Sequence, residues 1–107
     1  YILSNGFREL QEQKMRSAGV EGYFKKIVLS EDIGVHKPFP EIFYFAMSAT
    51  QSELHTSLMI GDNWKNDVEG AKNVGMGNVY YNIKGERGLP FKPGFDMRDW
   101  RDIASFL

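Results

Sequence analysis

The stretch LMIGDNWKNDVEGAKNV at residues 58–74 decides the fold that this sequence predicts. Leu58–Ile60 is short and wholly apolar, which is typical of a parallel strand covered on both faces. Gly61–Lys65 has the composition of a loop. Asn66–Val74 then indicates a helix with Asn66 as its N-cap. The stretch therefore predicts a strand, a polar loop and a helix in succession.

The same alternation extends in both directions along the chain. Upstream, it predicts strands at Tyr1–Leu3 and Lys26–Ser30, a helix at Phe7–Ala18 and a second helix that begins at Pro40. Downstream, it predicts a strand at Asn78–Asn82, a loop at Lys84–Gly94, a short edge strand at Phe95–Met97 and a last helix, Trp100–Leu107, capped by Asp99. Strands that alternate with helices favour an α/β fold, here a Rossmann-like parallel sheet with flanking helices.

Composition excludes several classes of function. The formal net charge of −1 provides no basic field for nucleic acid or an anionic membrane. The chain has no cysteine, which excludes disulfides and thiolate metal sites and fits a cytoplasmic protein. No apolar run is long enough for a transmembrane helix, and no signal-peptide pattern is present. Composition does not indicate an oligomeric state.

Polar residues follow three of the predicted strands. Ser4-Asn5-Gly6 follows the first, Lys37 lies in the loop after the second, and Asp62 follows the third with Asp67 five residues later. Ligands of open parallel sheets bind beyond the carboxyl ends of the strands. A hydroxyl, backbone amides and a lysine suit a phosphate, whereas carboxylates suit a hard cation such as Mg²⁺. These residues therefore indicate magnesium-dependent phosphate chemistry.

Three motifs in order resemble the haloacid-dehalogenase-like (HAD) hydrolase superfamily. The stretch ILSNG at 2–6 resembles its motif II, an apolar strand that ends in Ser or Thr. GVHKPFPEIF at 34–43 resembles motif III, in which a lysine precedes a proline and a helix. MIGDNWKND at 59–67 resembles motif IV in its Gly-Asp-x-x-x-x-Asp form. The resemblance covers the chain to about residue 82, and 95–107 is similar to the family's closing strand and helix.

The resemblance implies a role for each of these residues. Ser4, helped by the backbone amide of Asn5, would hydrogen-bond the transferred phosphoryl group of a small phosphorylated substrate. Lys37 would neutralise the phosphate and the attacking carboxylate. Asp62 would bind Mg²⁺ directly, and Asp67 would orient the metal site. The reaction would pass through an aspartyl-phosphate that water then hydrolyses.

The chain departs from the family at motif I. That motif is Asp-x-Asp on the central strand, and no Asp-x-Asp occurs here. We therefore expect residues 1–107 to be the C-terminal portion of an incomplete HAD-like core, with the motif I strand and the cap domain upstream of Tyr1. The opening Tyr1-Ile2-Leu3, which has the pattern of a strand, supports this interpretation. Without the central strand, this portion alone is expected to be unstable and inactive.

Other interpretations of the same residues remain open. Ser4 and Asn5 also fit a plain turn that caps a helix. Lys37 could also be a solvated surface lysine. Asp67 could simply interact favourably with the dipole at the start of its helix. For the parent protein, a phosphatase of nucleotides or sugar phosphates is the first interpretation. A 2-haloacid dehalogenase, which needs an Asp nucleophile but no Mg²⁺, is a second. A non-catalytic α/β binding module is a third.

Overall fold

The computed structural model describes residues 1–105 of the chain. The chain divides into two compact units, Tyr1–Ser52 and Glu53–Leu107. Each unit contains parallel strands and helices, as the alternating pattern predicts. Within the described residues, no helix is long and apolar enough to cross a membrane.

The first unit is built from two strands and two longer helices. They are strand β1 (Ile2–Ser4), helix α1 (Arg8–Ala18), strand β2 (Ile27–Leu29) and helix α2 (Pro40–Thr50). Strands β1 and β2 pair in parallel, with Ile2 opposite Ile27 and Ser4 opposite Leu29. The core of this unit comes from both strand and helix residues: Met15, Val28, Leu29, Ile42, Phe43 and Ala46.

The ends of these helices follow from local chemistry. Gly19 ends α1 with φ of 70°, a left-handed conformation that glycine adopts without steric penalty. Pro40 begins α2, where its fixed φ suits the first helical turn and its missing N–H removes no helical hydrogen bond. Both features were predicted from the sequence.

The second unit contains a three-stranded parallel sheet in the order β3-β4-β5. Its strands are β3 (Leu58–Gly61), β4 (Gly77–Tyr81) and β5 (Phe95–Met97). A π-helical segment at Trp64–Glu69 and helix α3 (Gly70–Asn73) connect β3 to β4. A 3₁₀ helix, Trp100–Ser105, follows β5 where the sequence predicted a helix; residues 106 and 107 of that prediction lie outside the described residues.

Two local predictions in this unit are wrong. The residue that caps the helix after β3 is Asn63 instead of Asn66: the Asn63 side chain accepts a hydrogen bond from the Asn66 backbone N–H at 2.9 Å. Strand β3 was predicted to be covered on both faces. In this unit Leu58 is 43% exposed and none of the four β3 residues is fully buried. Among the described residues β3 lies at the edge of its sheet and pairs only with β4, which leaves it more exposed than a central strand.

Candidate active site

The turn after β1 is joined to the backbone of Lys37 by the Asn5 side chain. The Asn5 carboxamide donates to the Lys37 carbonyl at 3.1 Å and accepts from the Lys37 N–H at 2.8 Å. The Ser30 hydroxyl also donates to the Asn5 carbonyl, at 3.3 Å. The structure therefore brings Asn5 and Lys37 together across 32 positions of sequence.

Ser4 and Lys37 occupy different environments within this loop cluster. Ser4 is half-buried at the end of β1, and its Oγ accepts a hydrogen bond from the Gly6 N–H at 3.0 Å. Lys37 is only 9% exposed, unusual for a lysine, and a lysine buried to this degree normally interacts with other polar groups. The peptide bond from Lys37 to Pro38 is cis. Because the Ser4 Oγ accepts the hydrogen bond from Gly6, the Ser4 hydroxyl proton can still be donated to another group.

A second set of contacts ties the start of α1 to the turn after β2. The Arg8 guanidinium contacts both Asp32 oxygens, at 2.9 and 3.1 Å, and the Arg8 N–H donates to Glu31 at 2.9 Å. Asp32 also accepts from the Leu29 N–H at 2.9 Å. That backbone hydrogen bond, with the Arg8 guanidinium, holds the pKa of the Asp32 carboxyl below its ordinary value. The sequence contains no local signal for these contacts, because Arg8 is 23 positions away from Glu31 and 24 from Asp32.

In the second unit, the loop after β3 wraps around the carboxylate of Asp67. Asp67 is 4% exposed, and its Oδ2 accepts from the Asn63 N–H at 3.1 Å. A Cβ built on Gly61 would overlap this carboxylate. Asp62, between Gly61 and Asn63 in the same loop, is exposed at the carboxyl end of β3. The Gly-Asp-x-x-x-x-Asp motif therefore provides an exposed carboxylate, Asp62, and a buried carboxylate, Asp67, which accepts a hydrogen bond from the loop backbone.

The hydroxyl of Tyr80, on β4, lies among several acidic groups. It donates to Glu86 Oε2 at 2.9 Å. Burial raises the Tyr80 pKa, and so do the hydrogen bond to Glu86 and the charges of Glu86, Asp96 and Asp62. The carboxylates of Glu86, Asp96 and Asp62 therefore lie close enough to the Tyr80 hydroxyl to disfavour its negatively charged form.

The two motif IV carboxylates fit a magnesium ion in their chemistry. Mg²⁺ prefers hard oxygen ligands and is commonly held by one or two carboxylates, water and substrate phosphate. Asp67 is oriented by a backbone N–H, and Asp62 is exposed and able to reach an ion. Among residues 1–105, no group of three or more His, Asp or Glu side chains is placed to hold a metal. Asp62 and Asp67 would hold the ion from this chain, and water and substrate phosphate would supply other ligands.

Residues 1–80 match the sequence model of the haloacid dehalogenase-like hydrolase family. The chain belongs to this family. Pyrimidine 5'-nucleotidase YjjG of Escherichia coli is 35% identical over 82 residues, which are 76% of this chain and 36% of that protein. Glyceraldehyde 3-phosphate phosphatase of Pyrococcus abyssi is also 35% identical, over 75% of this chain and 34% of that protein.

Solved structures of HAD hydrolases share the fold of this chain. A crystal structure of Bacillus subtilis YfnB bound to magnesium aligns with a TM-score of 0.90 and 27% identity. The alignment covers 98% of this chain and 46% of YfnB. The α/β fold with parallel strands is thereby confirmed, and the chain spans about a third to a half of the length of these HAD relatives.

Proposed function

We propose that the protein is a magnesium-dependent HAD phosphatase that acts on small phosphorylated metabolites. The observation that carries this proposal is the pair of hydrogen bonds between the Asn5 side chain and the Lys37 backbone. They tie a hydroxyl-bearing turn to a buried lysine, a combination suited to a phosphoryl group. The names of two relatives, a nucleotidase and a glyceraldehyde 3-phosphate phosphatase, support this class of substrate.

In this proposal the first unit binds the phosphoryl group. The Ser4 hydroxyl donates to one phosphoryl oxygen, and the Asn5 backbone N–H donates to another. The Lys37 ammonium offsets the charge of the phosphate and of the attacking carboxylate. Donors that are fixed before the reaction stabilise charge that develops in the transition state most effectively. The contacts of Asn5 with Lys37 and Ser30 support such fixation.

The second unit contributes to the metal site. Asp62 ligates Mg²⁺ directly, and Asp67 orients the loop that carries it. When bound, the ion neutralises phosphoryl oxygens and helps to orient the substrate. The buried position of Asp67 and its hydrogen bond from Asn63 support the orienting role.

The nucleophile in this proposal is an aspartate outside these 107 residues. Its carboxylate oxygen forms a bond to phosphorus while the bond from phosphorus to the leaving oxygen breaks, and that oxygen takes a proton from the second aspartate of the Asp-x-Asp motif to leave as an alcohol. Water then hydrolyses the aspartyl-phosphate, which restores the carboxylate and releases phosphate. The absence of Asp-x-Asp from the chain and its partial coverage of the relatives support this assignment. We likewise propose that the cap domain, which would select the substrate, lies outside these residues.

Hydrolysis by the full-length protein tests the proposal. We expect Mg²⁺-dependent release of phosphate from p-nitrophenyl phosphate and from some members of a panel of nucleoside monophosphates and sugar phosphates. Lys37→Met is expected to lower kcat/KM by about 100-fold or more, because one charged stabilising group is lost. Lys14→Met is the matched control, since Lys14 is exposed on α1.

The same assay separates the alternative functions. Chloride release from 2-chloropropionate in the presence of EDTA, without phosphatase activity, would replace this proposal by a dehalogenase. A folded full-length protein that turns over neither class of substrate would indicate a binding module. Equal activity of the Lys37→Met and Lys14→Met variants would remove Lys37 from the mechanism.

A further inference from the structure

The segment after β4 forms an open cleft within the second unit. The cleft has a volume of about 760 Å³ and is lined by residues between 86 and 98. Sites for small organic ligands typically have volumes of about 300–1,000 Å³. The cleft is therefore large enough for a metabolite, and none of the HAD motif residues lines it.

Three cations line this cleft without an ion pair of their own. They are Arg87, Lys92 and Arg98, all exposed, and none forms a salt bridge within the described part of the chain. The Arg98 guanidinium lies beside Gly85, with one nitrogen 3.1 Å from the position that a Cβ on residue 85 would occupy. Arginine offers a planar fork of N–H donors that matches phosphate and carboxylate oxygens.

The two carboxylates of the cleft have structural partners. Glu86 accepts the Tyr80 hydroxyl at 2.9 Å, and Asp96 accepts from the Asn82 side chain at 3.3 Å. Asn82 is 1% exposed and also bonds the backbone of Glu86 through both its carbonyl oxygen and its amide nitrogen. These contacts hold the segment on the end of β4. Both carboxylates keep their negative charge, because their hydrogen-bond donors are neutral, so the three cations leave the cleft lining with an excess of one positive charge.

Aromatic rings supply an apolar wall beside the cations. Phe91 packs against Trp64 with ring centroids 4.7 Å apart, and the Lys72 ammonium lies 4.8 Å from the Phe91 ring centroid. Trp64 also makes an edge-to-face contact with Tyr80 at 5.1 Å. Phe95, on β5, lines the cleft and is 43% exposed. The Phe91 ring is therefore held by Trp64 and Lys72, whereas the Phe95 ring is partly exposed to solvent.

We propose that this cleft binds a small organic anion that combines a phosphate or carboxylate with an apolar, preferably aromatic, group. Arg87, Lys92 and Arg98 bind the anionic group, and Phe91 and Phe95 contact the apolar group. The cleft shares no residue with the phosphoryl site proposed at Ser4 and Lys37. It does not depend on catalysis, because the residues that form it lie outside the three HAD motifs.

Titration of the ¹⁵N-labelled full-length protein with three related probes tests the site. Phenylphosphonate, which resists hydrolysis, is expected to give saturable shifts of the Gly88 and Gly94 amides. Benzoate tests whether a carboxylate replaces the phosphonate and is expected to bind more weakly because its charge is smaller. Benzyl alcohol, which has the ring without the charge, is expected to cause no saturable shift. Phenylphosphonate binding is also expected to weaken as salt is added, because the cations are exposed.

Paired substitutions assign the binding to the cleft. Arg87→Gln combined with Lys92→Gln is expected to weaken phenylphosphonate binding by about tenfold or more, because two charge-assisted contacts are lost. Lys84→Gln is the matched control: Lys84 precedes the cleft in the same segment and does not line it. Both variants change exposed side chains, and their unperturbed spectra establish that they fold.

Three results would overturn the proposal. The first is equal binding of benzyl alcohol, and the second is unchanged affinity in the double variant. The third is a set of shifts confined to Ser4–Gly6 and Lys37. That result would place the probe at the phosphoryl site, so the cleft proposal would fail while the phosphatase proposal stood. Saturable shifts at Gly88 and Gly94 in a protein without phosphatase activity would support the cleft proposal while the phosphatase proposal failed.

Discussion

At the end of β3, the carboxylate of Asp67 occupies the space where a side chain on residue 61 would begin. Glycine at 61 and aspartate at 67 are therefore a matched pair, and the first is needed so that the second can lie against the loop. The sequence predicted both carboxylates because the Gly-Asp-x-x-x-x-Asp spacing is local. It did not predict the two hydrogen bonds between the Asn5 side chain and the Lys37 backbone, because the two residues are 32 positions apart.

We predict that Gly61→Ala lowers the free energy of unfolding by about 1–3 kcal/mol, because the added methyl group overlaps a buried carboxylate whose own position is restrained. Denaturant unfolding of the full-length protein measures the change. Gly22→Ala is the control, since no atom lies within 4 Å of a Cβ at that position and its effect should stay within about 0.5 kcal/mol. Similar values for the two variants would show that the loop relaxes around Asp67.

At the scale of elements, the end of α1 and the start of α2 were predicted correctly, whereas the start of the helix after β3 and the exposure of β3 were not. Gly19 sets the C-terminal end of α1, and Pro40 sets the N-terminal start of α2. Both effects are local in sequence. The exposure of β3 depends on which strands flank it, and an apolar run alone contains no such information. The cap after β3 was misassigned because Asn63 and Asn66 are both suitable; the choice depends on Asp67, whose carboxylate accepts the Asn63 N–H.

The ion pair between Arg8 on α1 and Asp32 in the turn after β2 predicts that stability depends on pH. The folded-state pKa of Asp32 lies below its ordinary value, so the unfolded chain binds more protons between the two pKa values. The stabilisation by Asp32 is complete above about pH 4 and is lost as the pH falls through the folded pKa. Its size should be about 1 kcal/mol, because the Asp32 side chain is 27% exposed and that of Arg8 is 41% exposed.

Asp32→Asn isolates the charge, because asparagine retains an oxygen that can accept the Leu29 N–H. We predict that the variant is less stable than the native protein at about pH 6 and that the difference shrinks by about pH 3. Urea unfolding across this range measures it, with the exposed Glu9→Gln as control. A difference that stays constant with pH would show that the Arg8–Asp32 pair does not depend on the carboxylate charge.

At the scale of the whole molecule, the residues of the three motifs are divided between the two units. Ser4, Asn5 and Lys37 belong to one compact unit, and Asp62 and Asp67 belong to the other. The order of the motifs allowed the family to be predicted from the sequence, and the match over residues 1–80 confirms it. The substrate was not predictable in the same way, because none of the motif residues distinguishes one phosphate ester from another.

Our account makes magnesium activation depend on Asp62. The most direct test is the Mg²⁺ concentration that gives half-maximal phosphatase activity of the full-length protein, measured for the native form and for Asp62→Asn. We predict an increase of about tenfold to 100-fold or more in the variant, since even residues that only support a metal ligand have effects of this size. Asp99→Asn, which alters a carboxylate paired with Arg101, should leave the value unchanged. Hydrolysis that needs no magnesium, or equal activation of the two variants, would contradict the assignment of the metal site.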